Sequence, residues 1–76
     1  MITVRLFAAA ADVIGSKFVT MHAESVAEVL DELSDAQTTA QVISRCSVLV
    51  DGVRANPQTQ LADGATVDVL PPFAGG

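Results

Sequence analysis

Ala65-Thr66-Val67-Asp68-Val69-Leu70 is the clearest strand in the 76-residue chain, and it runs directly into Pro71-Pro72-Phe73-Ala74-Gly75-Gly76. Its β-branched residues alternate with polar ones as a half-buried strand requires. Pro71 and Pro72 fix φ and withhold two N–H donors, so the strand stops before them and the exit is stiff and extended. The six residues from Pro71 to Gly76 reach roughly 20 Å when extended, at ~3.3 Å each. Without Cβ atoms, Gly75 and Gly76 fit a slot too narrow for other residues. The expectation is that Gly76 presents a terminal carboxylate as a chemical handle inside another protein. The plain alternative is a frayed end, since termini are commonly loose. Pro-Pro-Phe directly after a strong strand favours the handle.

Working back from that strand, Asp63-Gly64 reads as a turn. Val48-Leu49-Val50-Asp51-Gly52-Val53-Arg54-Ala55 reads as a hairpin, because Asp-Gly tolerates the positive φ of a two-residue turn, and Asn56-Pro57 ends it. Gln37 to Gln41 is weakly patterned. Thr38 or Thr39 is expected to cap a short helix reaching Arg45, with Ala40, Ile43 and Cys46 at three-residue spacing. Ser25-Val26-Ala27-Glu28 is a capping box, in which Ser25 and Glu28 each satisfy the other's backbone N–H. Val26, Val29, Leu30 and Leu33 follow as one apolar stripe. Lys17 to Met21 and Ile2 to Phe7 read as strands. Between them Ala8 to Ile14 suits a short helix or turn, and Gly15 stops it. Phe7 and Phe18 are expected in the core.

One helix across a mixed sheet of four or five strands buries both apolar faces most economically. The predicted class is α+β with a β-grasp (ubiquitin-like) arrangement, first and last strands adjacent at the sheet centre. Residues 1–70 are expected to form this domain and residues 71–76 a flexible tail.

Composition excludes several roles. The formal charge is −5, and the four basic residues (Arg5, Lys17, Arg45, Arg54) are scattered, which argues against nucleic acid and anionic membranes. An acidic chain suits a protein partner with a basic surface or pocket. The start, Met1-Ile2-Thr3-Val4-Arg5, is not a secretory signal, and no apolar run approaches a membrane span. A soluble, cytoplasmic protein is expected. The single cysteine, Cys46, suits a reducing compartment and reads as a small buried hydrophobe rather than a nucleophile. His22 stands alone, without metal-ligand spacing. No Gly-rich phosphate loop is present, so ATP binding by this chain is not expected. Glu24, Glu28, Asp31, Glu32 and Asp35 cluster without one Lys or Arg. Such a run is ordinarily a solvated helix face; if it has a role, docking a basic partner is favoured over acid–base or metal chemistry.

The whole chain resembles the MoaD/ThiS family of sulfur carriers, prokaryotic relatives of ubiquitin. The resemblance runs through Ile2-to-Ala8, the Ser25-to-Leu33 helix, Val50-Asp51-Gly52 and Leu61-Ala62-Asp63-Gly64. Its specific part is Pro71-Pro72-Phe73-Ala74-Gly75-Gly76, typical of molybdopterin synthase small subunits. Two departures are visible: Ala65 follows Asp63-Gly64 where an acidic residue is common, and Asp51 stands where Asn often precedes the hairpin glycine. The resemblance implies that an ATP-using, ubiquitin-activating-like enzyme adenylates Gly76, making a poor electrophile a good one. Sulfur from a donor protein then gives a thiocarboxylate at Gly76. The large subunit of molybdopterin synthase would receive the tail, and the sulfur would attack cyclic pyranopterin monophosphate. Two charged carriers per dithiolene imply a heterotetramer. Gly76 is then the reactive residue, Gly75 grants slot access, and Pro71, Pro72, Phe73 and Ala74 form the partner-binding tail, with Phe73 as anchor. No bound cofactor and no metal are implied.

Other readings stay open at this point. The same thiocarboxylate can serve thiamine or cysteine synthesis. A ubiquitin-like modifier would join Gly76 to lysines on targets, with Lys17 the sole lysine here. A pure interaction module would use no tail chemistry. A heteromeric subunit would also carry an exposed apolar patch on its sheet, though pattern alone does not assign its residues.

Overall fold

A parallel pairing between strands from opposite ends of the chain organises the molecule. The computed structural model describes residues 1–72. In chain order these residues form β1 (Ile2–Leu6), α1 (Ala9–Ile14), β2 (Phe18–Met21), α2 (Val26–Leu33), α3 (Gln37–Ile43), β3 (Ser47–Val50), β4 (Val53–Ala55) and β5 (Thr66–Leu70). The sheet order is β2-β1-β5-β3-β4. β1 runs parallel to β5, with Val4 opposite Val67, and the remaining pairs are antiparallel. First and last strands therefore lie side by side within the sheet, and the chain is α+β with the β-grasp arrangement.

Alternation sorts the strand residues onto two faces. Ile2, Val4 and Leu6 of β1, Val67 and Val69 of β5 and Val48 of β3 point inward and are buried. Against them α2 lays Val26, Val29 and Leu33, while Ala10 of α1 and Ile43 of α3 close one side. Val4, Val26, Val29, Val67 and Val69 are fully buried, and each contributes roughly 1.5–3 kcal/mol by leaving water. α2 is the main helix on the sheet; α3 packs against both α1 and α2.

Local signals explain the elements, with three corrections. Ser25 has extended backbone and its Oγ accepts from the Glu28 N–H at 3.3 Å, so α2 is capped as its sequence requires. The Glu28 carboxylate, however, reaches past Ser25 to the Glu24 N–H at 3.4 Å. Backbone on both sides of Ser25 is tied to residues 59–61, by Val26 N–H to Thr59 and Leu61 N–H to Glu24. The second correction is that neither Thr38 nor Thr39 caps α3. The N-cap is Ala36, without a side-chain bond, and Thr39 lies buried inside the helix, which ends at Ile43 rather than Arg45. The third is that Phe7 and Phe18 are not in the core: they are 40% and 64% exposed. Both stand on the face that no helix covers.

The β3–β4 turn places Asp51 at φ 48 and Gly52 at φ 84, the pair of positive values a tight hairpin needs. Asp51 also joins this turn to β5: its N–H donates to the Thr66 carbonyl at 2.8 Å and its Oδ1 accepts from the Thr66 N–H at 2.9 Å. At the other end of β5, the Met1 ammonium contacts Asp63 and holds that carboxyl below its usual value. No helix among the described residues is long and apolar enough to cross a membrane.

Candidate functional site

β5 ends at Leu70, and Pro71 and Pro72 continue outside any strand, half-buried and exposed respectively. Missing N–H groups give the physical reason for that stop. Because β1 and β5 are parallel, the chain leaves the sheet beside the end of β1, where the Phe7 N–H donates to the Val69 carbonyl at 3.2 Å. Phe73, Ala74, Gly75 and Gly76 lie outside the described residues, so the roles expected of them are not placed by this structure.

Around that exit lies the open face of the sheet. Register aligns Phe18, Arg5, Asp68, Leu49 and Arg54 in one row across all five strands. Arg5 grips Asp68 with two hydrogen bonds, Nε to Oδ1 at 2.6 Å and Nη2 to Oδ2 at 2.7 Å. This bidentate pairing lets a carboxylate sit at only 7% exposure, and it pushes the Arg5 pKa up further, so the guanidinium stays charged. The Arg5 guanidinium also lies over the Phe7 ring, 5.9 Å from its centre. Leu70 lies on this face beside the exit.

One corner of the face is hollow. Arg5, Phe7, Ala8, Asp12, Lys17 and Phe18 are among the residues bordering an open depression of about 710 Å³. Ala8 forms its wall with φ 50 and ψ −124, a conformation L-residues avoid, and this twist carries the chain from β1 into α1. A second groove, of about 580 Å³, lies between α2 and the β3–β4 hairpin and is bordered by Leu30, Cys46, Arg54 and Pro57.

Cys46 is half-buried there, its thiol donates to the Val42 carbonyl at 3.3 Å, and burial pushes its pKa up. A thiol held neutral in this way is a poor nucleophile. His22 is exposed at the end of β2, and the described residues contain no cluster suited to a metal ion. Glu28, Asp31 and Glu32 stand exposed on α2, flanked by exposed Glu24 and Asp35, as a solvated face.

Sequence reasoning did not assign the open-face residues. A usable signal was present: in β1 and its extension, Thr3, Arg5 and Phe7 alternate with the three inward residues, so Phe7 belongs to the outer set.

The sequence profile of the ThiS family matches residues 4–76. The chain belongs to the ThiS family. It is thus of the MoaD/ThiS type of ubiquitin-like sulfur carrier, as its sequence resemblance implies. No curated protein matches it. Among solved structures, this ThiS-family chain is similar to SAMP1 from Haloferax volcanii, with 28% identity, a TM-score of 0.77, and coverage of 99% of this chain and 98% of that one. It is similar to a chain in the complex of subunits 1 and 2 of molybdopterin-converting factor from Helicobacter pylori 26695, with 24% identity, a TM-score of 0.75 and coverage of 99% and 97%. It is also similar to a chain in the BexX/CysO complex of Amycolatopsis orientalis, with 22% identity, a TM-score of 0.77 and full coverage of both chains, 100% each. The last two likenesses establish the fold.

Proposed function

We propose that this ThiS-family chain is the sulfur carrier subunit of molybdopterin synthase. The observation that carries the reading is the exit of the chain: a central strand halted at Leu70 by Pro71-Pro72, followed in sequence by Phe73-Ala74-Gly75-Gly76. A rigid domain thereby holds one end of a stiff segment whose far end is a narrow, reactive carboxylate. The Gly76 carboxylate attacks the α-phosphate of ATP on an adenylating enzyme and pyrophosphate leaves. Persulfide sulfur from a donor protein displaces AMP, and a thiol cleaves the resulting acyl disulfide to leave the thiocarboxylate. The large synthase subunit takes the tail, with Phe73 as its anchor, and the sulfur passes to cyclic pyranopterin monophosphate. Two carriers serve each dithiolene within a heterotetramer. The likeness to a chain of the molybdopterin-converting factor complex supports this acceptor.

A protein-modifier reading has its own support in the 28% identity to SAMP1. It would join Gly76 to a target lysine. Delivery to cysteine or thiamine synthesis is a further acceptor within the same carrier chemistry.

The test is the intact mass of the chain after incubation with an adenylating enzyme, ATP and a sulfide source. Exchange of one oxygen for sulfur is expected, abolished by deleting Gly76 or adding one residue after it. Adding the large synthase subunit and cyclic pyranopterin monophosphate should then return the carrier to its original mass. No sulfur gain, or a chain recovered as an isopeptide on other proteins, sinks the proposal.

A further inference from the structure

Charge in this chain is divided by the sheet. Of its four basic residues, Arg5 and Arg54 lie in the open-face row and Lys17 borders the adjoining hollow. Only two of the nine carboxylates share that side, and one of them, Asp68, is consumed by Arg5; the other is Asp12 at the rim of the hollow. The remaining seven, Glu24, Glu28, Asp31, Glu32, Asp35, Asp51 and Asp63, lie on the helix side or in turns, with Arg45. A chain of net charge −5 therefore shows a weakly positive face to one side and a strongly negative one to the other.

The positive face is also the apolar one. Phe7 and Phe18 are exposed beside the hollow, and Leu49 separates Arg5 from Arg54. Arg5 and Arg54 are three strand spacings apart, roughly 14 Å at ~4.8 Å per strand. Aromatic anchors near a pocket, ringed by cations, are the composition of an interface centre rather than of a solvated surface. The chain's exit lies at the same end as the hollow, so whatever docks there is positioned to receive the tail.

We infer that the hollow and its row take, on the adenylating enzyme, an apolar side chain flanked by carboxylates. This rests on the carrier reading above. The apolar side chain seats between Phe7 and Phe18; the carboxylates meet Lys17 and Arg54 and the outward N–H groups of Arg5. A basic enzyme surface is excluded on this side, because the only unpaired carboxylate there is Asp12.

The test follows ATP–pyrophosphate exchange by the adenylating enzyme with the full-length chain as varied substrate. Phe18→Ser and Arg54→Glu, both at exposed positions, should each raise KM about tenfold with kcat little changed. Arg45→Glu, equal in charge change but on the other side, should leave both constants as they are. Added NaCl should raise KM for the wild type and much less for the Lys17→Glu/Arg54→Glu variant. Unchanged KM in Phe18→Ser and Arg54→Glu, or a lower KM in Arg54→Glu, overturns the inference while leaving the carrier reading intact. So does self-association lost in Phe18→Ser without any change in KM, which would assign the face to a second copy. A wild-type chain that supports no exchange overturns the carrier reading and this inference with it.

Discussion

Ala8 holds φ 50 and ψ −124, where the Cβ of any residue but glycine crowds the backbone. Strain of this kind costs of order 1–3 kcal/mol. Ala8→Gly removes it, partly offset by the greater freedom glycine gives the unfolded chain, so a net gain of about 1 kcal/mol is expected. A higher urea midpoint at unchanged m-value checks this; a lower midpoint would show that the twist carries no strain. Cys46 supports a second expectation. Its raised pKa and its hydrogen bond to Val42 keep the thiol protonated near neutrality, and the shift, coming from burial, opposes ionisation only in the folded state. Labelling by iodoacetamide at neutral pH should run well below the rate of a free thiol and rise to it in urea, and full blockage should leave the Gly76 mass gain intact. The inert cysteine was legible from its isolation in the sequence. The outward phenylalanines were not read, because hydrophobicity alone puts Phe7 and Phe18 inside. Only the register, pairing Arg5 with Phe18, shows that the alternation of β1 sends them to the other face.

α2 and α3 differ in how their first turns are closed, and this explains both their legibility and their stability. Ser25 supplies an acceptor to the Glu28 N–H, whereas Ala36 has the extended backbone of an N-cap, at φ −118 and ψ 148, but no side chain to use. Capping signals placed α2 correctly from sequence alone. The search for a cap in the next segment settled on Thr38 or Thr39, since nothing at Ala36 announces a start, and Thr39 turned out to be buried inside the helix. Helix α3 forms through Ile43 and its packing on α1 and α2, information that local pattern does not carry. Ser25→Ala should therefore cost about 1 kcal/mol, and Ala36→Asp should add a comparable amount by supplying the missing acceptor. Equilibrium denaturation gives both values, and amide exchange in α3 should slow in Ala36→Asp relative to α2. Equal exchange in the two proteins would mean that α3 opens only with the whole domain.

At the scale of the molecule, one charge distribution has two consequences of opposite sign. Counting residues gave the net charge of −5 and suggested a basic partner, but the partition between sheet and helix sides needed the strand order, since Arg5, Lys17 and Arg54 are far apart in sequence. On the helix side Glu24, Glu28, Asp31, Glu32 and Asp35 repel one another without a cation among them, which destabilises the folded state at low ionic strength. Screening relieves that repulsion over a Debye length of about 10 Å at ~0.1 M salt. Raising NaCl from about 10 mM to about 200 mM should thus stabilise the domain by a few tenths of a kcal/mol up to about 1, read as a rise in thermal midpoint. On the sheet side the same ions screen the attraction between Lys17, Arg54 and a partner's carboxylates, so association with the adenylating enzyme should slow several-fold over the same range. Neither effect alone is diagnostic, because salt also acts on apolar surface. Charge substitution separates the two. Glu32→Lys should flatten the salt dependence of stability and leave that of association alone, and Arg54→Glu should do the reverse. If Glu32→Lys alters association as strongly as Arg54→Glu, the two sides do not act separately and the partner responds to net charge.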